Sequence, residues 1–515
     1  MNIYKRKSNR LGAVDLRLVL ALITGLGFAV FVGTVVGSGE YKEAYIYVLL
    51  LVGVGIMATM KRSFWMLIPF SMVGDFPAVP VGPVSMKLGE AWLFVSLLFV
   101  VLQAVSRRKL PILYVRGALP VYLYSTWVFM IYILNPVGLS SMGASEGGLR
   151  FYMMIGLSLL SVVILMNQVI DSQKAKKVLM LVLVGAIMGS AWNIAQVFFP
   201  AMAVFSGRSV MESGGGFYGW NQQLSIVPHL IVIFIVSRYS FRMMLIPTNW
   251  WVVVLYILCI GLGFASGKRS FTVLMLIYPI LGTVLRKEFI AVFLCGAMTI
   301  LIVSVALIGH GSIFHLPKTA QRVLSVLPVG EWDGDVQASA DNDFRETLNK
   351  YALRDISERP ILGEGLQADF DLLWHLRYNP GDVLEEGDHI LGLTYSANSA
   401  WHNTWLGISA DFGIPAAVIW ASVWITLIIG CMKSIKQLSI YDWRYTLLMF
   451  ILLLTLGDLL RSWQFGHSAV NMWQVAWRVG VWLAVKRTLT SVDADKKCPI
   501  VGYEVKRRHE GLLQH

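Results

Sequence analysis

Residues 251–285 read WVVVLYILCIGLGFASGKRSFTVLMLIYPILGTVL, two apolar runs held apart by Ser266-Gly-Lys-Arg-Ser270. Runs of this length and composition are membrane-spanning helices, because only a helix closes its own backbone hydrogen bonds within lipid. The same pattern recurs along the chain. Of its 515 residues 56% are hydrophobic and only 14% charged, well below the charge of a soluble domain. A transmembrane barrel would show alternating ten-residue segments, and none is present. The sequence therefore predicts an all-α, polytopic membrane protein.

About fourteen spans are expected, at 16–37, 43–60, 63–80, 89–105, 117–134, 150–168, 178–199, 222–237, 248–265, 271–285, 289–309, 402–430, 445–460 and 468–485. The basic N-terminal stretch before the first of these has no clear cleavage site after it, so that span is read as retained. The net charge of +12 does not indicate nucleic acid. It gathers in short clusters beside the apolar runs: Lys5–Arg10, Lys61–Arg62, Arg107–Lys109, Lys174–Lys177, Arg238–Arg242, Arg286–Lys287, Lys433–Lys436 and Lys486–Arg487. Each follows an even number of spans. One orientation places all of them, and both termini, in the cytoplasm.

That orientation makes 310–401 external. The segment is too long for a simple connection and holds about half of the chain's 31 acidic residues. Within it Phe344, Leu348, Tyr351, Ala352 and Ile356 recur at helical spacing, predicting an amphipathic helix that ends by Pro360 and Gly363. The expected organisation is helices 1–11 over 1–309, a large external loop over 310–401, the last spans over 402–487 and a loosely ordered tail over 488–515. Cys259, Cys295, Cys431 and Cys498 lie away from the external loops, so neither a disulfide framework nor a cysteine metal site is expected. DGD at 333–335 and DFD at 369–371 have a metal-binding spacing but read as solvated turns.

The SGKRS turn breaks the charge rule, because it sets Lys268 and Arg269 on the outer face. Two snorkelling side chains would explain it structurally. A chemical explanation comes from three other external stretches: Arg345 in the loop helix, His402-Asn403 at the start of the next span, and GGGFYGWNQQ at 214–223. Arginines clamp phosphate oxygens with permanently charged, planar donors. A histidine near its ordinary pKa removes a proton from an attacking hydroxyl. Tyr218, Trp220, Trp374, Trp401 and Trp405 could stack on sugar rings. The combination points to transfer from a lipid pyrophosphate to a hydroxyl.

The order of these marks resembles that of the bacterial O-antigen ligase and O-antigen polymerase superfamily. The marks are GGGFYGWNQQ, SGKRS, FRETLNKYALRDISERPILGEG and HNTWLGISADFGIP, and the resemblance covers roughly residues 180–430. The chain departs from the usual pattern in having Trp220-Asn221-Gln222 for an Asn-Pro-Asn-like element and Lys268 before Arg269. The resemblance implies a glycosyltransferase in the bacterial inner membrane. Its donor would be a glycan on undecaprenyl pyrophosphate, its acceptor a lipid-linked sugar or lipid A core at the periplasmic face, and it would need no cofactor or metal. It assigns His402 as base and Arg269 and Arg345 as charge-stabilising groups. Substrate contacts would come from Asn403, Lys268, Arg208, Tyr218, Trp220, Asn221 and Arg461. Polymerase is favoured over ligase by the long acidic loop. A chain-length regulator or a flippase is an expected partner. A lipid-linked-sugar transporter is the reading from another class, but the sequence shows none of the internal repeats that transporters carry.

Overall fold

The computed structural model describes residues 61–73, 78–81, 84–87, 115–136, 149–198, 225–325, 332–333, 342–366, 403–462 and 468–497, with isolated positions between them. The described chain is helical apart from one hairpin. A 3-10 turn at Lys61–Met66 leads into α1, Leu67–Val73. The hairpin pairs β1, Ala78–Val81, with β2, Val84–Lys87, antiparallel and in the register Val81–Val84. There follow α2 (Leu119–Leu134), α3 (Leu149–Met166), α4 (Ser172–Phe198), α5 (Ile226–Arg238), α6 (Trp250–Ser266), α7 (Arg269–Leu285) and α8 (Phe289–Gly309). Next come α9 (Lys318–Leu324), α10 (Asn342–Glu358), α11 (Thr404–Ile435), α12 (Trp443–Arg461) and α13 (Ser468–Lys497).

Six helices among the described residues are long and apolar enough to cross a membrane: Arg116–Leu134, Ser172–Trp192, Pro247–Ser266, Phe289–Gly309, Thr404–Ile435 and Trp443–Arg461. Phe151–Met166, Ile226–Arg238 and Arg269–Leu285 are shorter apolar helices that fall on three further expected spans. The protein is thus an all-helical membrane protein in outline. The expected spans 16–37 and 43–60 lie outside the described residues.

One expectation is corrected. The span expected over 63–80 is not a continuous helix, since α1 covers Leu67–Val73 and Ala78–Val81 is strand β1. Pro77, Pro80 and Pro83 explain this, since each lacks an amide hydrogen and cannot continue a helix. α13 runs on to Lys497, past the expected start of the polar tail at 488.

Packing centres on α12. It lies between α11, α4 and α5, while α3 and α13 make the most extensive pairing among the described residues. One continuous apolar core joins these helices, built on side chains such as Tyr124, Tyr152, Phe412, Trp420, Phe450 and Trp477. Cys259, Cys295 and Cys431 are free and buried.

The loop helix α10 docks on α11. Tyr351 and Ala352 pack with Leu393, Trp401 and Ala410 in a separate small cluster. The turn after α10 is locked to α11 backbone to backbone. Glu364 N donates to Ala410 O at 2.9 Å, Gly365 N to Asp411 O at 2.7 Å, and Ile414 N to Pro360 O at 2.8 Å. Gly413 has a φ of 82°, a left-handed conformation in which a side chain is strained, and a Cβ there would run into the Ile361 carbonyl oxygen. The PILGEG and DFGIP stretches therefore form one clasp. Trp127 Nε1 donates to Phe412 O (2.8 Å), and Leu366 N to Tyr152 Oη (3.0 Å), which fix the clasp to α2 and α3.

Candidate active site

The SGKRS stretch forms a tight turn between two helices. α6 ends at Ser266, and Gly267 caps it in a left-handed conformation with φ 68°. α7 begins at Arg269, with Lys268 in the capping position but making no side-chain cap. A helix N-terminus carries partial positive charge, so two cations there repel it unless a counter-charge is present.

The counterpart on α12 is Arg461. Its guanidinium sits 4.6 Å from the ring centre of Phe271, and Lys268 Nζ sits 5.4 Å from the same ring. The structure thus brings together two residues that the sequence singles out, from segments almost 200 positions apart. Arg269 follows Lys268 as the first residue of α7.

Beneath this pair lies a cavity of about 350 Å³, lined among others by His229, Phe271, Asp458, Arg461, Trp477 and Arg478. Asp458 binds both arginines: Arg461 Nη2 donates to its Oδ1 at 3.1 Å and Arg478 Nη2 to its Oδ2 at 2.5 Å. Arg478 is only 3% exposed. His229 Nε2 lies 3.2 Å from Tyr278 Oη, and its ring meets Phe271 edge to face. Glu90, also buried, completes the charged lining.

Asp458, Arg478 and His229 are absent from the sequence-derived set. Their signal is a single ionisable group inside an apolar run, as in LLLTLGDLL, QVAWRVGVW and IVPHLIVIF. Ionisable residues at that depth are costly unless paired or in contact with a ligand, which makes them functional candidates. Attention to clusters flanking the runs passes over them.

The beginning of α11 is tied to this site. Thr404 N donates to Ser462 O at 2.9 Å, and Trp405 Nε1 to Ser462 Oγ at 2.7 Å. Ser462 follows Arg461, so the first turn of α11, at Thr404 and Trp405, is anchored beside Arg461. Asn403 caps α11: its Oδ1 accepts from Trp405 N at 3.0 Å and Leu406 N at 3.3 Å. Its side-chain oxygen is thus engaged with backbone rather than held out toward a substrate. His402 itself lies outside the described residues, as do Arg208, Tyr218, Trp220, Asn221 and Trp374. Arg345 is half-buried on the first turn of α10.

Two of the expected sugar platforms are structural. Trp401 is buried with its Nε1 on Asp411 Oδ1 at 3.1 Å, and Trp405 is held by Ser462. Asp333, the first acid of DGD, is not a plain solvated turn. It accepts from Gln321 Nε2 at 3.0 Å and lies 3.3 Å from His315 Nε2. Among the described residues no group of three or more His, Cys, Asp or Glu side chains is placed to hold a metal.

Residues 251–421 match the family model described as O-antigen ligase. The matched segment runs from α6 to the middle of α11 and includes the cationic turn, the loop helix and the clasp. Over this segment, about a third of its length, the chain is similar to the O-antigen ligase family. No curated protein matches the chain.

Proposed function

We propose that the protein transfers a glycan from undecaprenyl pyrophosphate to a sugar hydroxyl at the periplasmic face of the bacterial inner membrane, as a polysaccharide polymerase. The observation that carries this reading is the excess of cations at one end of the bundle. Arg461 and Arg478 line one cavity with the carboxylates Asp458 and Glu90, and Lys268 shares the Phe271 ring with Arg461 at its edge. A polyanionic leaving group such as pyrophosphate would balance them.

In this mechanism the acceptor oxygen attacks the anomeric carbon while the bond from that carbon to the phosphate oxygen breaks. The acceptor proton passes to the His402 imidazole. The electron pair leaves with the pyrophosphate, whose growing charge is met by Arg269 and Arg345. Lys268 and Arg461 hold the phosphates. Arg208, Tyr218, Trp220 and Asn221 contact the donor. Asn403 positions His402 by capping the helix that follows it. The fixed cations supply the charge stabilisation, so the reaction proceeds without a metal. The ligase description of the matched family supports a second acceptor, lipid A core.

The test is His402→Asn. A general base contributes about 10²–10⁴-fold, so transfer from purified lipid-linked donor should fall by that factor, in the presence of EDTA throughout. An active His402→Asn enzyme would show that the residue is structural, and loss of wild-type activity in EDTA would show that a metal takes part.

A further inference from the structure

Arg478 is the most deeply placed cation of the site, and Asp458 occupies only one of its nitrogens. Its Nε and Nη1 are buried with no hydrogen-bond partner among the described residues, and so is His229 Nδ1. Both side chains are 3% exposed and both line the cavity. A buried donor left unsatisfied is costly, more so on a charged group, and native proteins rarely tolerate several side by side. Arg478 and His229 line the same cavity, which has room for a small ligand.

Asp458 does not account for them. Its two oxygens are divided between Arg461 and Arg478, so one carboxylate faces two guanidiniums. The cation–π contact of Arg478 with Trp477, at 5.9 Å, leaves the N–H groups unspent. Glu90 lines the same cavity, so the inner wall is not uniformly positive. What the geometry supplies is a directed pair of guanidinium donors beside an imidazole.

We propose that Arg478 binds an oxyanion, and that with His229 it forms an inner station for one phosphate group beneath the outer cations Lys268 and Arg461. Asp458 is the positioning residue, turning both guanidiniums toward the cavity. The inference rests on the reading that this site handles a lipid pyrophosphate, and it divides that group between an outer and an inner phosphate position.

The probe is inorganic pyrophosphate, titrated calorimetrically into full-length protein in lipid nanodiscs. Wild type should bind it, and Arg478→Gln should weaken binding by about tenfold or more, the loss expected for one hydrogen bond to a charged group. As a check independent of folding, phenylglyoxal modification of Arg478 in the wild type should be suppressed by pyrophosphate. Unchanged affinity in Arg478→Gln, absent binding by wild type, or modification of Arg478 indifferent to pyrophosphate would each overturn the station. Glycan transfer measured on the same samples separates the two ideas. A wild type that transfers glycan, with an Arg478→Gln variant of equal donor KM, would remove the inner station and leave the reaction standing. A wild type that binds pyrophosphate through Arg478 but transfers nothing would keep the station and remove the reaction.

Discussion

Helices α8 and α12 have nearly the same length, yet they occupy opposite environments. Of the apolar window of α8, 11% is buried inside the protein; of α12, 72%. The less buried helix is also the more apolar: α8 carries no charged residue, whereas α12 contains Arg444, Asp458 and Arg461. In water this ordering would be reversed. In a bilayer the apolar residue has no reason to hide, and the ionisable one must find partners or a polar cavity. The centre of this molecule is accordingly where its intramembrane charges are.

The sharpest way to break that contrast is to unbalance α12. Asp458→Ala would leave Arg478 buried without its carboxylate, at a cost of about 3–5 kcal/mol. The expected result is a large fall in Tm, or loss of folded protein, by thermal unfolding in detergent. Asp458→Asn, which keeps the shape and one acceptor, should cost less. Equal stability of Asp458→Ala and wild type would mean that the ion pairs are ornamental.

Arg269→Lys probes the cationic turn at the edge of the same site. Charge is kept but the planar fork is lost, so transfer should drop by about 10²–10³ with little change in Tm, the loss typical of one transition-state donor. Full activity would return the turn to a snorkelling role. A matched truncation then compares the helices directly. Leu453→Ala, at a fully buried position of α12, should cost about 2–5 kcal/mol. Leu301→Ala on α8 should stay within about 0.5 kcal/mol, because lipid fills the space. Similar losses at the two positions would show that the exposed face of α8 is packed against something other than lipid.

The smallest effect concerns the clasp. Burial, reinforced by Asp355, raises the Glu364 carboxyl above its ordinary 4.5. The folded state then holds that proton more tightly than the unfolded chain, so stability falls as pH rises from about 4.5 through the higher folded value. Glu364→Gln should flatten this part of the Tm–pH curve and leave the variant slightly more stable at neutral pH. An unchanged slope would assign the dependence to another group.

The same contrast explains what the sequence disclosed. Helix positions were legible because apolar length is a direct consequence of the bilayer: the spans expected at 271–285 and 289–309 correspond to Arg269–Leu285 and Phe289–Gly309. The hairpin at 78–87 was hidden behind apolar residues that satisfy a hydropathy reading while their prolines forbid a helix. The outer cations Lys268 and Arg461 could be named from position alone. Asp458, Arg478 and His229 could not be joined to them, since that requires knowing which faces of α5, α12 and α13 meet.

The clasp between the turn after α10 and the kink at Gly413 also bears on how such chains can be recombined. Pro360–Gly365 and Ala410–Ile414 present backbone to backbone, so neither stretch carries its partner's identity in side chains alone. A chimaera that takes the 310–401 segment from one relative and α11 from another would inherit two halves of a joint shaped separately. Exchange should succeed when the crossover points enclose both stretches, and fail when they fall between them.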